Sequence, residues 1–100
     1  MKERILIKSF KAFGDPSRLN ILKLLADKEM TVNEVAAATG LSQPTVSRHL
    51  SILREAEAVI DRREGQFVFY SLNKQNVQSC CSNFCDCLEI KVIKIKKRKK

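Results

Sequence analysis

The stretch from Gly40 to Leu53, Gly-Leu-Ser-Gln-Pro-Thr-Val-Ser-Arg-His-Leu-Ser-Ile-Leu, constrains this 100-residue chain more than any other. Gly40 can end a helix in the left-handed conformation that most side chains avoid. Two residues later Ser42 can cap a new helix, and Pro44 falls in its first turn, where a missing N–H costs nothing. Val46, Leu50 and Leu53 recur at helical spacing and must face a core. At about 100° per residue, Thr45, Ser47, Arg48 and Ser51 then face outward. Upstream, Thr31-Val-Asn-Glu34 has the spacing of a capping box, with Val32, Val35 and Ala36 as the apolar stripe behind it. Two short helices joined by a tight turn, the second with a polar and acid-poor outer face, read as a helix-turn-helix that suits a DNA major groove. Its candidate contacts are Gln43, Thr45, Ser47, Arg48, His49 and Ser51. Arginine can bond guanine bidentately, and hydroxyl and amide side chains reach base edges or phosphates. The same residues also fit the solvated face of an αα-hairpin, so the motif needs context.

That context follows downstream. Val59-Ile-Asp-Arg-Arg63 and Gln66-Phe-Val-Phe-Tyr-Ser-Leu72 are β-prone runs separated by Glu64-Gly65, which predicts a hairpin and hence a wing. Arg62, Arg63 and Gln66 are expected at or near its tip, where a cation reaches a phosphate or the minor groove. A merely solvated polar turn is the alternative.

Ile5, Leu6, Phe10 and Phe13 predict a first helix with one apolar side, ended by Gly14. Asp15-Pro16 is a cap followed by proline at the first helical position, and Leu19, Leu22, Leu25 and Ala26 are the expected buried stripe of the second helix. From residue 74 to about 90, Val77, Cys80, Cys81, Phe84 and Leu88 make an amphipathic last helix. The expected fold is α+β, mostly α, in the order α-α-α-α-β-β-α. The first and last helices keep apolar sides with no partner in one chain, which predicts a homodimer built on them. A two-fold pair could read two half-sites about 34 Å apart, so the partner would be double-stranded DNA carrying an imperfect inverted repeat.

The formal charge of +8 is less informative than its position. Seven bases and no acid lie between Lys91 and Lys100, leaving twelve bases and eleven acids, a net of +1, in residues 1–90. We therefore divide the chain into a domain over 1–90 and a basic tail over 91–100. The tail either adds salt-sensitive, sequence-independent DNA affinity or only solubilises the terminus. No apolar run of membrane-spanning length and no secretory signal is visible, so a cytoplasmic location without membrane contact is expected.

Three segments carry a family resemblance: Phe10-Lys-Ala-Phe-Gly-Asp-Pro-Ser-Arg-Leu-Asn-Ile-Leu-Lys-Leu-Leu25, Leu41-Ser-Gln-Pro-Thr-Val-Ser-Arg-His-Leu-Ser-Ile-Leu-Arg54 and Asp61-Arg-Arg-Glu-Gly-Gln-Phe-Val-Phe-Tyr-Ser-Leu72. Over about residues 5–75 the chain resembles the ArsR/SmtB winged-helix repressors. The resemblance implies a homodimeric repressor that leaves its operator when a metal or metalloid ion binds, with residues 43–51 reading DNA and the first and last helices forming the dimer. Two departures stand out. Where many arsenic and cadmium sensors of this kind have Cys-Val-Cys, this chain has Thr31-Val-Asn33. A zinc-type site on the last helix needs several His and acidic residues, whereas the one histidine is His49, a DNA-facing or packing residue.

What remains is Cys80-Cys81-Ser-Asn-Phe-Cys85-Asp-Cys87, all four cysteines of the chain within eight residues. Cys81 and Cys85 are i,i+4 neighbours whose Cβ atoms lie about 5–6 Å apart on a helix, close enough for both sulfurs to bind one ion. Cys80 can join from the adjacent position. Cys87 lies about 10.5 Å beyond Cys80 along the axis and needs unwinding or the other subunit. Three thiolates suit trivalent arsenic or antimony and four suit Cd or Zn, with Pb also open; we favour the metalloid. Bases in the tail would favour thiolates, which leaves a thiol-redox switch open. Cysteines as small apolar interface residues fit Cys80 and one other. DNA binding itself needs no cofactor on this reading, and a ligand-independent DNA-binding regulator is the remaining alternative. An enzyme is not expected, because no Cys-His pair, redox Cys-x-x-Cys with a βαβ pattern or phosphate loop occurs.

Overall fold

A computed structural model describes residues 3–89. Five helices and one hairpin follow in the order α1 (Glu3–Phe13), α2 (Pro16–Asp27), α3 (Val32–Thr39), α4 (Gln43–Glu55), β1 (Val59–Glu64), β2 (Phe67–Leu72) and α5 (Lys74–Cys87). The expected element order is the observed one, and the fold is that of a winged helix-turn-helix. Ile90 and the basic tail over 91–100 lie outside the described residues.

Local chemistry sets most of the boundaries. Asp15 caps α2 by accepting from the Arg18 backbone N–H at 3.0 Å, with Pro16 at the first helical position. At α3 the capping box closes in both directions: Glu34 N–H donates to Thr31 Oγ1 at 3.2 Å, and Thr31 N–H to Glu34 Oε1 at 2.9 Å. Gly40, at φ 80°, ends α3 in the left-handed region, and Ser42 caps α4. The hairpin closes through Gly65 and Gln66, with Glu64 paired to Phe67 and Gly65 at φ 63° in the first turn position.

Ile21, Val35, Val46, Leu50, Leu53, Ala58 and Val59 form the centre of the core, under the crossing of α2, α3 and α4 and the base of the hairpin. Burying each large aliphatic side chain contributes roughly 1.5–3 kcal/mol before entropy is subtracted. A short bridge between Met30 and Tyr70, with N–H···O distances of 2.9 and 2.8 Å, laces the α2–α3 connection to the free edge of β2. β2 is thereby tied to the helical body.

Two stripes differ from the expected ones. In α2 the fully buried residue is Ile21, with Leu22 and Leu25, whereas Leu19 is 49% exposed and Ala26 is exposed. Ile21 and Leu25 centre on the core, and Leu19 lines a shallow apolar groove with Phe13, Leu22 and Val77. In α1 the buried line is Leu6, Ser9 and Ala12, and Ile5 and Ile7 remain outside it. Ser9 is accommodated there because its hydroxyl donates to the Ile5 carbonyl at 3.1 Å.

Helix α5 lies along α1. Phe10 meets Phe84 edge-on at a centroid distance of 5.0 Å, and Cys80 is fully buried. Ile7, Phe84 and Leu88 stay largely exposed near this contact, and Ile5 is exposed elsewhere on α1. At the other end, Asn76 Nδ2 donates to the Glu57 carbonyl at 2.8 Å and Asn73 Nδ2 to the same oxygen at 3.1 Å. These bonds hold Glu57 at φ 60°, a left-handed turn between α4 and β1.

Candidate nucleic-acid interface

Helix α4 owes its position to Val46, Leu50 and Leu53, each completely buried. With those three fixed inward, Ser47, Arg48 and Ser51 are exposed along the opposite side, and Gln43 is exposed in the first turn. Thr45 is half-buried, and its hydroxyl accepts from Ser42 Oγ at 2.9 Å, so it belongs in part to the cap. Five polar side chains thus project from one rigid helix, and no carboxylate interrupts that surface before Glu55.

His49 is placed differently from its neighbours. It is half-buried and its Nδ1 lies 3.3 Å from Arg18 Nη1 on α2. Arg18 in turn donates through Nε to the Ala12 carbonyl at 2.8 Å. Spacing gives no hint of this link, since 31 positions separate the two side chains.

The hairpin brings Arg62 and Arg63 to opposite faces. Arg62 pairs with Phe69 across the strands, and its guanidinium sits 4.7 Å from the centre of that ring. Its Nε reaches Glu29 Oε2 at 3.1 Å and its Nη1 reaches Glu64 Oε1 at 2.9 Å. Glu29 is held below its ordinary carboxylate range chiefly by the hydrogen bond from Arg62. The guanidinium is raised in the same pairing, by Glu29 first and Glu64 second. Arg62 therefore lies mid-strand with its charge engaged, and the turn itself holds Gly65 and Gln66. Arg63, opposite Val68, is exposed next to the turn and forms no ion pair among the described residues.

The cysteines divide between two faces of α5. Cys80 is buried against the body, Cys81 is exposed and Cys85 is half-exposed. Cys87 is exposed and donates its S–H to Glu3 Oε2 of α1 at 3.4 Å. That bond and the nearby negative charge push the Cys87 thiol above its ordinary value. Among the described residues, no three His, Cys, Asp or Glu side chains converge to hold a metal ion. Glu3, Arg18 and Glu29 had no motif to mark them; each acts through a contact made only in the folded chain.

A helix-turn-helix with an exposed polar recognition helix and a two-stranded wing defines a DNA-binding regulator. The model of the arsR family of bacterial regulatory proteins matches residues 15–61. The transcriptional repressor SdpR of Bacillus subtilis is 46% identical over 69 residues, covering 69% of this chain and 77% of that protein. The arsenical resistance operon repressor of Escherichia coli is 41% identical over 68 residues, covering 67% of this chain and 58% of that protein. The homodimeric winged helix-turn-helix DNA-binding domain Mb0332 of Mycobacterium bovis, solved in solution, superposes with a TM-score of 0.72. It is 30% identical and covers 86% of this chain and 80% of its own. The chain belongs to the arsR family of winged-helix transcription regulators. No helix among the described residues is long and apolar enough to cross a membrane.

Proposed function

We propose that the protein is a homodimeric repressor that leaves its operator when a thiophilic ion, with trivalent arsenic or antimony the favoured one, binds the cysteine cluster of α5. Gln43, Thr45, Ser47, Arg48 and Ser51 read an imperfect inverted repeat, and Arg63 contacts phosphate from the wing. Arg62 joins it only if DNA displaces Glu29, and the part taken by His49 is argued below. The exposed apolar residues Ile5, Ile7, Phe84 and Leu88 on α1 and α5 supply the dimer seam.

The observation that carries the ion-sensing reading is the Cys81–Cys85 pair. The two lie one helical turn apart on the side of α5 that the body leaves accessible. Cys80, fully buried, is a packing residue in this arrangement. The third sulfur is Cys87, freed from Glu3 by unwinding of the last turn, or a thiol of the second protomer. A three-sulfur site of that kind suits the metalloid; a fourth ligand would shift it toward Cd, Pb or Zn. The E. coli relative is the repressor of an arsenical resistance operon, which supports the choice of ion, and the Thr31-Val32-Asn33 sequence at the start of α3 leaves α5 as the thiol-bearing element.

Ion capture reshapes α5, and the shift reaches the two recognition helices through α1 and the Asn73 and Asn76 bonds to the α4–β1 turn. A coupling of about 1–3 kcal/mol, or roughly 5-fold to 150-fold in operator affinity, is the usual scale of such linkage. The test is a titration of the reduced protein with arsenite, cadmium and zinc. Binding to a duplex selected by the chain from a randomised pool is followed by anisotropy. Arsenite should release the duplex from the wild type, and the Cys81→Ser/Cys85→Ser variant should bind it but no longer let go. Release unchanged in that variant retires the cluster as the sensor. Occupancy unaffected by every ion, with loss only under oxidant, selects the thiol-redox switch.

A further inference from the structure

We infer that Arg18 is a positioning residue for DNA binding, acting through His49 to brace the recognition helix against the corner between α1 and α2. The inference rests on the reading of α4 as the helix that enters the groove.

Three parts of the fold meet at one guanidinium. Arg18 Nε donates to the carbonyl of Ala12 in the last turn of α1 at 2.8 Å. Its backbone N–H donates to the Asp15 cap of α2 at 3.0 Å. Its Nη1 lies 3.3 Å from Nδ1 of His49 in the middle of α4. Arginine carries donors only, so in this hydrogen bond Nδ1 is the acceptor. Asp15, whose carboxylate is held below its ordinary value chiefly by the Arg18 backbone N–H, and Arg18 are the charged groups beside the ring.

The placement of His49 on its own helix points the same way. It lies about 60° from Val46 around the axis, on the flank away from Ser47 and Ser51. It is half-buried where Gln43, Ser47, Arg48 and Ser51 are exposed. Val46, Leu50 and Leu53 hold α4 against the core through apolar contacts that have no direction of their own. The bond to Arg18 is directional and off-centre, and it resists rotation of α4 about its axis. In a two-fold dimer both recognition helices must meet half-sites about one DNA turn apart, so a small rotation of each is felt twice.

The test compares two substitutions of the one histidine. Asparagine places its Oδ1 where Nδ1 stood, whereas glutamine reaches the Nε2 position and leaves Arg18 without its acceptor. On the selected duplex, His49→Asn should hold affinity within about twofold, and His49→Gln and Arg18→Met should each lose roughly five- to tenfold, the scale of one hydrogen bond. The Arg18→Met/His49→Gln double variant should lose no more than either single one. Discrimination between duplexes whose half-site spacing differs by one base pair should weaken in His49→Gln and survive in His49→Asn. In the DNA-free protein, Arg18→Met should move the Nδ1 resonance of the lone imidazole in a long-range ¹H–¹⁵N spectrum.

The reverse order, with glutamine tolerated and asparagine not, would mean that Nε2 touches DNA, and it overturns the inference. Equal effects of the two substitutions, or additive losses in the double variant, overturn it as well. A wild-type chain that selects no duplex would instead remove the DNA-reading role of α4. Thermal unfolding of each variant separates a lost brace from a lost fold, and the Asn–Gln comparison stands even if Arg18→Met does not fold.

Discussion

The guanidinium of Arg62 is stretched across the ring of Phe69 toward Glu29, with its carbon 4.7 Å from the ring centre and its Nε 3.1 Å from the carboxylate. A cation from the wing is thus spent on fastening the wing to the α2–α3 connection. Arg62→Ala should change duplex affinity by less than about twofold. Arg63→Ala should weaken binding uniformly across sequences and lower the slope of log affinity against log salt by about 1. Glu29→Gln frees the Arg62 charge and should steepen that slope. Anisotropy titrations at several salt concentrations read all three.

The same pair makes stability depend on acid. Glu29 is depressed below its ordinary value of about 4.5 by Arg62, and Asp15 below about 3.8 by the N–H of Arg18. A carboxylate whose folded value lies below its unfolded one stabilises fully above the unfolded value, and that contribution disappears as pH falls through the folded one. The melting temperature should therefore hold from neutrality to about pH 5 and fall below the mid-4s. Glu29→Gln should flatten the upper part of that fall, as differential scanning calorimetry across the range would show.

Arg48 is exposed on α4 with neither an ion pair nor a side-chain hydrogen bond among the described residues. Arg48→Ala should leave the far-ultraviolet circular dichroism and melting temperature unchanged. It should cost about 1–3 kcal/mol of discrimination at one base pair of the selected duplex. A uniform loss on all sequences would assign Arg48 to phosphate instead.

Glu3 accepts the S–H of Cys87 and, with its negative charge, holds that thiol above its ordinary value. Glu3→Gln removes the charge and should let iodoacetamide alkylate Cys87 severalfold faster near pH 8, with Cys81 little affected. Peptide mass spectrometry after timed quenching distinguishes the two sites. An unchanged rate at Cys87 would show that the carboxylate does not govern that thiol.

Leu50 is completely buried between α4 and the rest of the core. Leu50→Ala should destabilise the domain by about 2–5 kcal/mol, a large share of the roughly 5–15 kcal/mol typical of a whole domain. Urea unfolding followed by circular dichroism gives the value directly.

The elements whose signals lie within a few residues were legible in the chain. The capping box at Thr31 and Glu34, the left-handed Gly40, the Ser42 cap, the Val46–Leu50–Leu53 stripe and the hairpin around Gly65 all stand where local chemistry put them. The buried stripe of α2 was misplaced because Leu19, Leu22, Leu25 and Ala26 also fit helical spacing. Packing against α4 and β2 buries Ile21 with Leu22 and Leu25 and leaves Leu19 and Ala26 outside. The exposed face of α4 was readable from periodicity, but the inward bond of His49 was not.

By itself the sequence determined the helices, their caps, the hairpin and the polar face of α4, because each depends on interactions between residues close along the chain. The tertiary structure alone decided what each charge or thiol does. It took Arg62 for Glu29, His49 for Arg18 and Cys87 for Glu3, pairs that are 31 to 84 positions apart. Such pairs leave no periodic trace, since their distances are set by how the helices cross and not by any repeat in the chain.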